Sequence, residues 1–139
     1  MQPYLEHINI TSTDVEKTVK FLQTAMPELS IRGKGEGDAC RYWVHLGTET
    51  TYIAIEDRGT RVRGPHIPYQ HQGFNHMGFV VADVAGVVER LNDAGYQQGL
   101  ANMEHPHRKR WYFYDHDNNE YEFVEYLSDK TNERNDYSL

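Results

Sequence analysis

The sequence predicts an α+β protein built from two tandem βαβββ modules. Three observations predict it. The chain matches itself at one constant displacement, each half opens on an alternating strand followed by an amphipathic helix, and three strand-like segments follow each helix. The self-match appears when the chain is displaced by 69 positions, as from His7 to His76. Leu5-Glu6-His7 then falls on Phe74-Asn75-His76, Asp14-Val15 on Asp83-Val84, Val19 on Val88, Leu22 on Leu91 and Ala25 on Ala94. Further on, Arg41-Tyr42-Trp43 falls on Arg110-Trp111-Tyr112, and Tyr52, Ile55 and Glu56 fall on Tyr121, Val124 and Glu125, still without a gap. This sets one module at residues 4–57, a linker rich in Gly, Pro and Arg at 58–72, and a second module at 73–127. A polar, mobile tail at 128–139 completes a single domain over 1–139.

Each element has its own local reason. Leu5 to Ile10 alternates, with Ile8 and Ile10 on one face and His7 and Asn9 on the other, as a half-buried strand does. Thr13-Asp14-Val15-Glu16 reads as a capping box ahead of a helix whose stripe is Val15, Val19 and Leu22, and Pro27 marks its end. The second module opens likewise, with Met77, Phe79 and Val81 opposite His76 and Gly78. Asp83 caps a helix bearing Val84, Val87, Val88 and Leu91, and Gly95 stops it. Strands are expected near 28–33, 39–46 and 51–56, then near 97–101, 109–114 and 120–126. One helix covers only one face of a four-stranded sheet, so the uncovered faces of two such modules are expected to enclose a cup.

Composition narrows what such a cup serves. Hydrophobic residues make up 38% of the chain, enough for a core and too many for wholesale disorder. The net charge of -7 argues against general affinity for nucleic acid or anionic membrane. No apolar run approaches the roughly 20 residues of a membrane span, and MQPYLEHINI lacks the pattern of a secretion signal. A cytoplasmic protein is the expectation. The single cysteine, Cys40, excludes an internal disulfide and a thiolate-rich zinc site.

Strand parity selects the residues that face the cup. His7 and His76 stand opposite the apolar set of the first strand in each module. In the last strand, Tyr121 and Phe123 pack toward the helix, which turns Glu122 and Val124 inward. Two imidazoles and a carboxylate suit one divalent ion (Fe, Zn, Ni or Mn), and three protein ligands leave positions open for water or substrate. Packing alone asks for no titratable residue at the same place in both first strands, so the paired histidines favour metal. His66 and His71 continue the spacing to His76 in steps of five, but they read as surface loop.

With His7 opening one module, NHMGFVV around His76 opening the next and the closing run YFYDHDNNEYEFVEY, the chain resembles the vicinal oxygen chelate superfamily. That superfamily holds glyoxalase I, bleomycin-resistance proteins, fosfomycin-resistance thiol transferases and extradiol dioxygenases. The resemblance covers residues 4–127 and implies the glyoxalase/bleomycin resistance/dioxygenase fold, with Glu122 at the metal-ligand position. His116 and Asn118 replace the Pro and Gly of the family's turn, and Asn can adopt the left-handed conformation that Gly supplies there. The resemblance further implies a small-molecule substrate chelated through adjacent oxygens, lyase, isomerase or ring-cleaving dioxygenase chemistry, and a homodimer.

The branches differ in their further residues. The repeat places Ile53 opposite Glu122, and a one-residue slip places Ala54 there; neither binds metal, which weakens the glyoxalase I activity. Glu56 would reach inward only through a bulge. The dioxygenase branch has a downstream His and an aromatic-Tyr pair, matched by His105 or His107 and by Phe113-Tyr114. Glu56, His107 and Tyr114 are therefore the candidates for acid–base or orienting roles. The fosfomycin-resistance branch needs a cationic pocket, for which Arg41, Arg108, Lys109 and Arg110 are available. A non-catalytic sequestering protein would instead use Tyr42, Trp43, Trp111 and Tyr112 as aromatic walls.

Overall fold

The structure, a computed structural model, describes residues 3–38, 40–59, 64 and 66–138. Residue 39 of the second expected strand, residues 60–63 and 65 of the expected linker, and the last residue of the tail lie outside the described residues. The chain divides into two compact units, Met1–His66 and Ile67–Leu139.

The first unit runs β1 (His7–Thr11), α1 (Val15–Ala25), β2 (Ser30–Gly35), β3 (Tyr42–Gly47) and β4 (Tyr52–Asp57), with sheet order β1-β4-β3-β2. The second runs β5 (His76–Val80), α2 (Val84–Asp93), β6 (Gln97–Asn102), β7 (Arg108–Tyr114) and β8 (Glu120–Tyr126), with order β5-β8-β7-β6. A short α3 (Thr131–Arg134) follows. The first and last strands of each unit pair in parallel and the rest antiparallel. The predicted βαβββ order is therefore present twice.

Burial explains the pairing of helix with sheet. Helix α1 packs on β3 and β4, and its stripe of Val15, Val19, Phe21 and Leu22 is buried with Val44, Leu46, Ile53 and Ile55. Helix α2 packs on β7 and β8, burying Val84, Val87 and Leu91 with Phe113, Tyr121 and Phe123. Removing such apolar side chains from water supplies about 1.5–3 kcal/mol each, the main favourable term available to sheets this small. The caps differ slightly from expectation. Asp14, not Thr13, caps α1 by accepting the Lys17 N–H at 3.1 Å, so the helix starts one residue later than a capping box on Thr13 requires. Asp83 caps α2 as expected, accepting the Gly86 N–H at 3.1 Å, and Gly95 follows with φ +80°.

The gapless repeat is corrected by the strand register. Asn9 pairs with Ala54 and Gly78 with Glu122, so Ala54, not Ile53, is the counterpart of Glu122. His45 pairs with Ala54 and Tyr112 with Glu122, which makes His45 the counterpart of Tyr112. The displacement of 69 holds through the helices but changes in the loops. The β3–β4 turn spans 48–51 and the β7–β8 turn spans 115–119. Asp115 builds the longer turn, accepting the N–H groups of Asp117 and Asn119 at 2.9 Å each, and Asn118 takes φ 59°. The left-handed asparagine is as expected from the sequence.

The tail is a second correction. It docks on its own unit: Arg108 Nη1 donates to the Arg134 carbonyl at 3.0 Å, and the Arg134 guanidinium lies 4.1 Å from the centre of the Tyr126 ring. A polar composition hid this, because the contacts are cation–π and charge-assisted rather than apolar.

Candidate metal centre

In the second unit, parity and register bring two of the expected ligands together. Met77, Phe79, Tyr121 and Phe123 lie on the α2 side, which turns His76, Glu120 and Glu122 to the other face. His76 Nε2 lies 3.1 Å from Glu122 Oε2. Gly78 stands across from Glu122, and a Cβ there would begin 3.6 Å from Oε2, so glycine leaves that side of the carboxylate uncovered. Arg110 Nη1 lies 3.8 Å from Glu122 Oε1, and Tyr112 stands directly across from Glu122 in the register, on the same face. Burial first, then the Glu122 carboxylate beside it, pushes the Tyr112 pKa up to about 12. An imidazole nitrogen and a carboxylate oxygen are the donor types a divalent first-row ion takes. Their separation fits as well, since bonds of about 2.1 Å at a right angle put two donors about 3.0 Å apart.

Next to this pair lies a carboxylate that the sequence reading passed over. Glu120 pairs with His76 in the register and is 6% exposed. Its Oε1 accepts the Tyr114 hydroxyl at 2.9 Å, and its Oε2 accepts the Tyr69 hydroxyl. Tyr69 also meets His76, its hydroxyl oxygen 2.9 Å from Nδ1. Desolvation of the hydroxyls and the Glu120 carboxylate beside them raise the pKa values of both tyrosines above the ordinary 10.0. The Tyr69 side chain is largely exposed, so that shielding concerns its hydroxyl end alone. Parity could have found Glu120, two residues before Glu122 on the same strand. Nothing in the pattern pointed to Tyr69.

The first unit carries different side chains on the matching face. His7 Nδ1 lies 2.9 Å from Glu6 Oε2, and its ring stacks on Tyr52 with centroids 4.8 Å apart. His45 continues the row, 4.7 Å from Tyr52 and 4.7 Å from Trp43, and Arg32 lies 4.4 Å from the centre of the Tyr52 ring. Glu56 shares this face without a bulge, because β4 pairs regularly with both neighbours and parity places Tyr52, Ala54 and Glu56 together. Asn9 Nδ2 donates to it at 2.8 Å and Arg58 Nε at 2.7 Å. The Asn9 hydrogen bond, ahead of the Arg58 contacts, lowers the Glu56 pKa below its ordinary value, partly offset by burial. A carboxylate held ionised in this way is a weak proton acceptor near neutrality.

The remaining candidates fall elsewhere. His107 precedes β7, five residues before the Tyr112 that pairs with Glu122, a strand distance of about 16 Å. Its Nδ1 lies 3.8 Å from Glu133, and the neighbouring His105 Nε2 lies 3.2 Å from the Asp136 carbonyl oxygen, so both histidines face the docked tail. His71 accepts the Ile67 N–H at 3.1 Å within the turn ahead of β5. Of the four proposed wall residues, Trp43 and Tyr112 share the faces of His45 and Glu122, whereas Tyr42 and Trp111 alternate to the other side. Among the described residues, no group of three or more His, Cys, Asp or Glu side chains is arranged to hold a metal. His76 and Glu122 thus form a two-donor pair in the second unit, and His7 belongs to the first.

A family model described as the Glyoxalase/Bleomycin resistance protein/Dioxygenase superfamily matches residues 4–123. Among solved structures, the glyoxylase/bleomycin resistance protein/dioxygenase domain from Frankia sp. EAN1pec is 19% identical, covering 94% of this chain and 96% of its own, with a TM-score of 0.75. A glyoxalase family protein from Bacillus cereus is 16% identical, covering 92% of this chain and 97% of its own, with a TM-score of 0.74. The genomically encoded fosfomycin resistance protein FosX from Listeria monocytogenes, complexed with Mn(II) and sulfate, is 22% identical and covers 96% of this chain and 98% of its own, with a TM-score of 0.66. At these identities the likeness is one of fold. A comparison with curated protein sequences gave no match.

Proposed function

The chain belongs to the Glyoxalase/Bleomycin resistance protein/Dioxygenase superfamily, and on that premise we propose that it is an enzyme dependent on one divalent metal ion, acting on a small substrate held through adjacent oxygens. The observation that carries this reading is the approach of His76 Nε2 to Glu122 Oε2 at 3.1 Å. His7, His76 and Glu122 would hold the ion, and the protein would act as a homodimer. When bound, the ion supplies Lewis acidity toward the substrate oxygens. The side chains do the rest. Tyr112 and Arg110 flank the Glu122 carboxylate, and the Arg110 guanidinium beside it favours a substrate carrying negative charge. Tyr114, held neutral against Glu120, is a hydrogen-bond donor rather than a base. Glu56, held ionised by Asn9 and Arg58, orients rather than accepts protons. Manganese is one suitable ion, since the Listeria FosX structure contains Mn(II).

A sequestering role without chemistry is the second reading, favoured by the Trp43, His45 and Tyr52 row of the first unit. Metal titration separates the two. Chelator-stripped protein titrated with Mn(II), Fe(II), Ni(II) and Zn(II) is expected to bind one ion per chain. Each of His7→Ala, His76→Ala and Glu122→Ala is expected to weaken binding by at least about a hundredfold, beyond what losing an outer partner of a ligand costs. Binding equal to wild type in His76→Ala and Glu122→Ala would remove the metal reading and leave the sequestering one.

A further inference from the structure

The turn ahead of β5 reaches the second-unit pair with one side chain. In residues 67–71 the Gln70 and His71 N–H groups bond back to the Ile67 carbonyl at 3.2 and 2.9 Å. Tyr69 sits inside this turn with φ 64°, a left-handed conformation unusual for a bulky residue, and Asn75 Oδ1 accepts its N–H at 2.7 Å. Strain of this kind persists where surrounding contacts over-determine it, and it concentrates at functional sites. Here it holds the phenol against β5 and β8, with its hydroxyl on both His76 Nδ1 and Glu120 Oε2.

Proton bookkeeping gives the consequence. A phenol has one proton, and of its two partners the buried Glu120 carboxylate is the stronger acceptor. Toward His76 the phenol oxygen is therefore an acceptor, so Nδ1 carries a hydrogen. A neutral imidazole with hydrogen on Nδ1 leaves Nε2 as a bare lone pair, and Nε2 faces Glu122 Oε2 at 3.1 Å. A shared divalent ion fits two acceptors at that separation. We propose that Tyr69 and Glu120 are positioning residues that fix His76 in its Nδ1–H tautomer and aim Nε2 at the ion shared with Glu122. The inference rests on the metal reading above. It assigns the left-handed turn a task, and it explains why a buried Glu120 stands beside the ligand strand pair without being a ligand itself.

The test reads the tautomer and the affinity separately. In metal-free protein at a pH where imidazole is neutral, histidine nitrogen NMR is expected to show His76 protonated at Nδ1. Tyr69→Phe keeps the ring at a largely exposed position and removes the acceptor, so His76 is expected to move its hydrogen to Nε2 and donate to Glu122. Mn(II) affinity should then fall about 10–100-fold, the usual effect of losing an outer hydrogen-bond partner of a ligating histidine. Glu120→Gln, which removes the charge that claims the phenol proton, should move both readouts the same way by less, and serves if Tyr69→Phe fails to fold. An unchanged tautomer, or a changed tautomer with Mn(II) affinity within about threefold of wild type, overturns the positioning role while His76→Ala still loses metal. Wild-type Mn(II) binding in His76→Ala overturns the metal reading, and this inference with it.

Discussion

The two units share a scaffold and differ on the face that the helix leaves uncovered. Both place a histidine at the start of the first strand, an aspartate at the helix cap and alternating apolar residues against the helix. Across the sheet the resemblance ends. Where the second unit has Gly78 beside Glu122, the first has Asn9 beside Ala54. Where the second has Tyr112 across from a ligand candidate, the first has His45 in a ring row with Tyr52 and Trp43. The first unit does own a carboxylate on this face, Glu56, but one step further along β4, where Asn9 and Arg58 occupy it. A duplicated module thus preserves what packing requires. Its open face is free to change, because residues there answer to a ligand and not to the core.

The largest effect expected from this comparison tests the register that separates Ile53 from Ala54. Ile53 is 4% exposed on the helix side, so Ile53→Glu buries an unpaired charge and should destabilise by about 4 kcal/mol or more. Ala54 is just as buried, at 3% exposed, but it shares its face with Asn9 and His45 rather than with the helix, so Ala54→Glu should lose stability that Mn(II) restores, whereas Ile53→Glu should gain nothing from the ion. Ala54→Glu should also tighten metal binding by adding the carboxylate that the first unit lacks at the position matching Glu122. Denaturant melts and Mn(II) titration of the two variants measure both. Mn(II) stabilising both variants alike, or neither, would show that the two positions do not face opposite sides.

Most of the scaffold was legible in the sequence, for reasons visible in single residues. Alternation placed Tyr121 and Phe123 toward the helix and Glu122 on the opposite, inward face, and both aromatics are fully buried. Asp83, Gly95 and Asn118 announced a cap, a helix stop and a left-handed turn because few residues satisfy those backbone demands. The strand register was not legible, since loops absorb insertions without leaving a mark in the apolar pattern. Tyr69 was not legible either. It acts from a turn, through a backbone conformation its residue type rarely takes, on a strand several residues ahead. Tail docking stayed hidden because Arg108, Arg134 and Tyr126 read as surface residues until they are seen together.

A smaller effect concerns Glu56, the carboxylate that the first unit keeps for itself. Glu56→Gln should lower stability by about 1 kcal/mol near neutral pH, because the Arg58 partner is substantially exposed and such pairs are worth little. The sign with pH follows from its lowered pKa. The stabilisation is fully present above the ordinary value of 4.5 and is lost as pH falls through the depressed folded value. Wild type and Glu56→Gln should therefore converge in stability on acidification below 4.5. Metal affinity should change by less than about tenfold, below the cost of losing a ligand's outer partner, since the residues Glu56 holds, Asn9 and Arg58, are not proposed ligands. A loss as large as that of Glu122→Ala would make Glu56 a ligand and erase the contrast between the faces.

The smallest effect tests the shared part of the comparison. Asp14 and Asp83 accept N–H groups three residues ahead at the same distance, 3.1 Å, so each substitution to alanine should cost about 1 kcal/mol. Asp14 also faces Lys17 Nζ at 3.3 Å, but both side chains are exposed and the pair adds at most a few tenths of a kcal/mol. The two costs should agree within about 0.5 kcal/mol in thermal or denaturant unfolding. Agreement means that each unit takes the same support from its helix cap, as a scaffold conserved by duplication requires. A gap above about 1 kcal/mol would mean that one helix carries more of the fold than the other, and the divergence would then reach beneath the open faces into the packing itself.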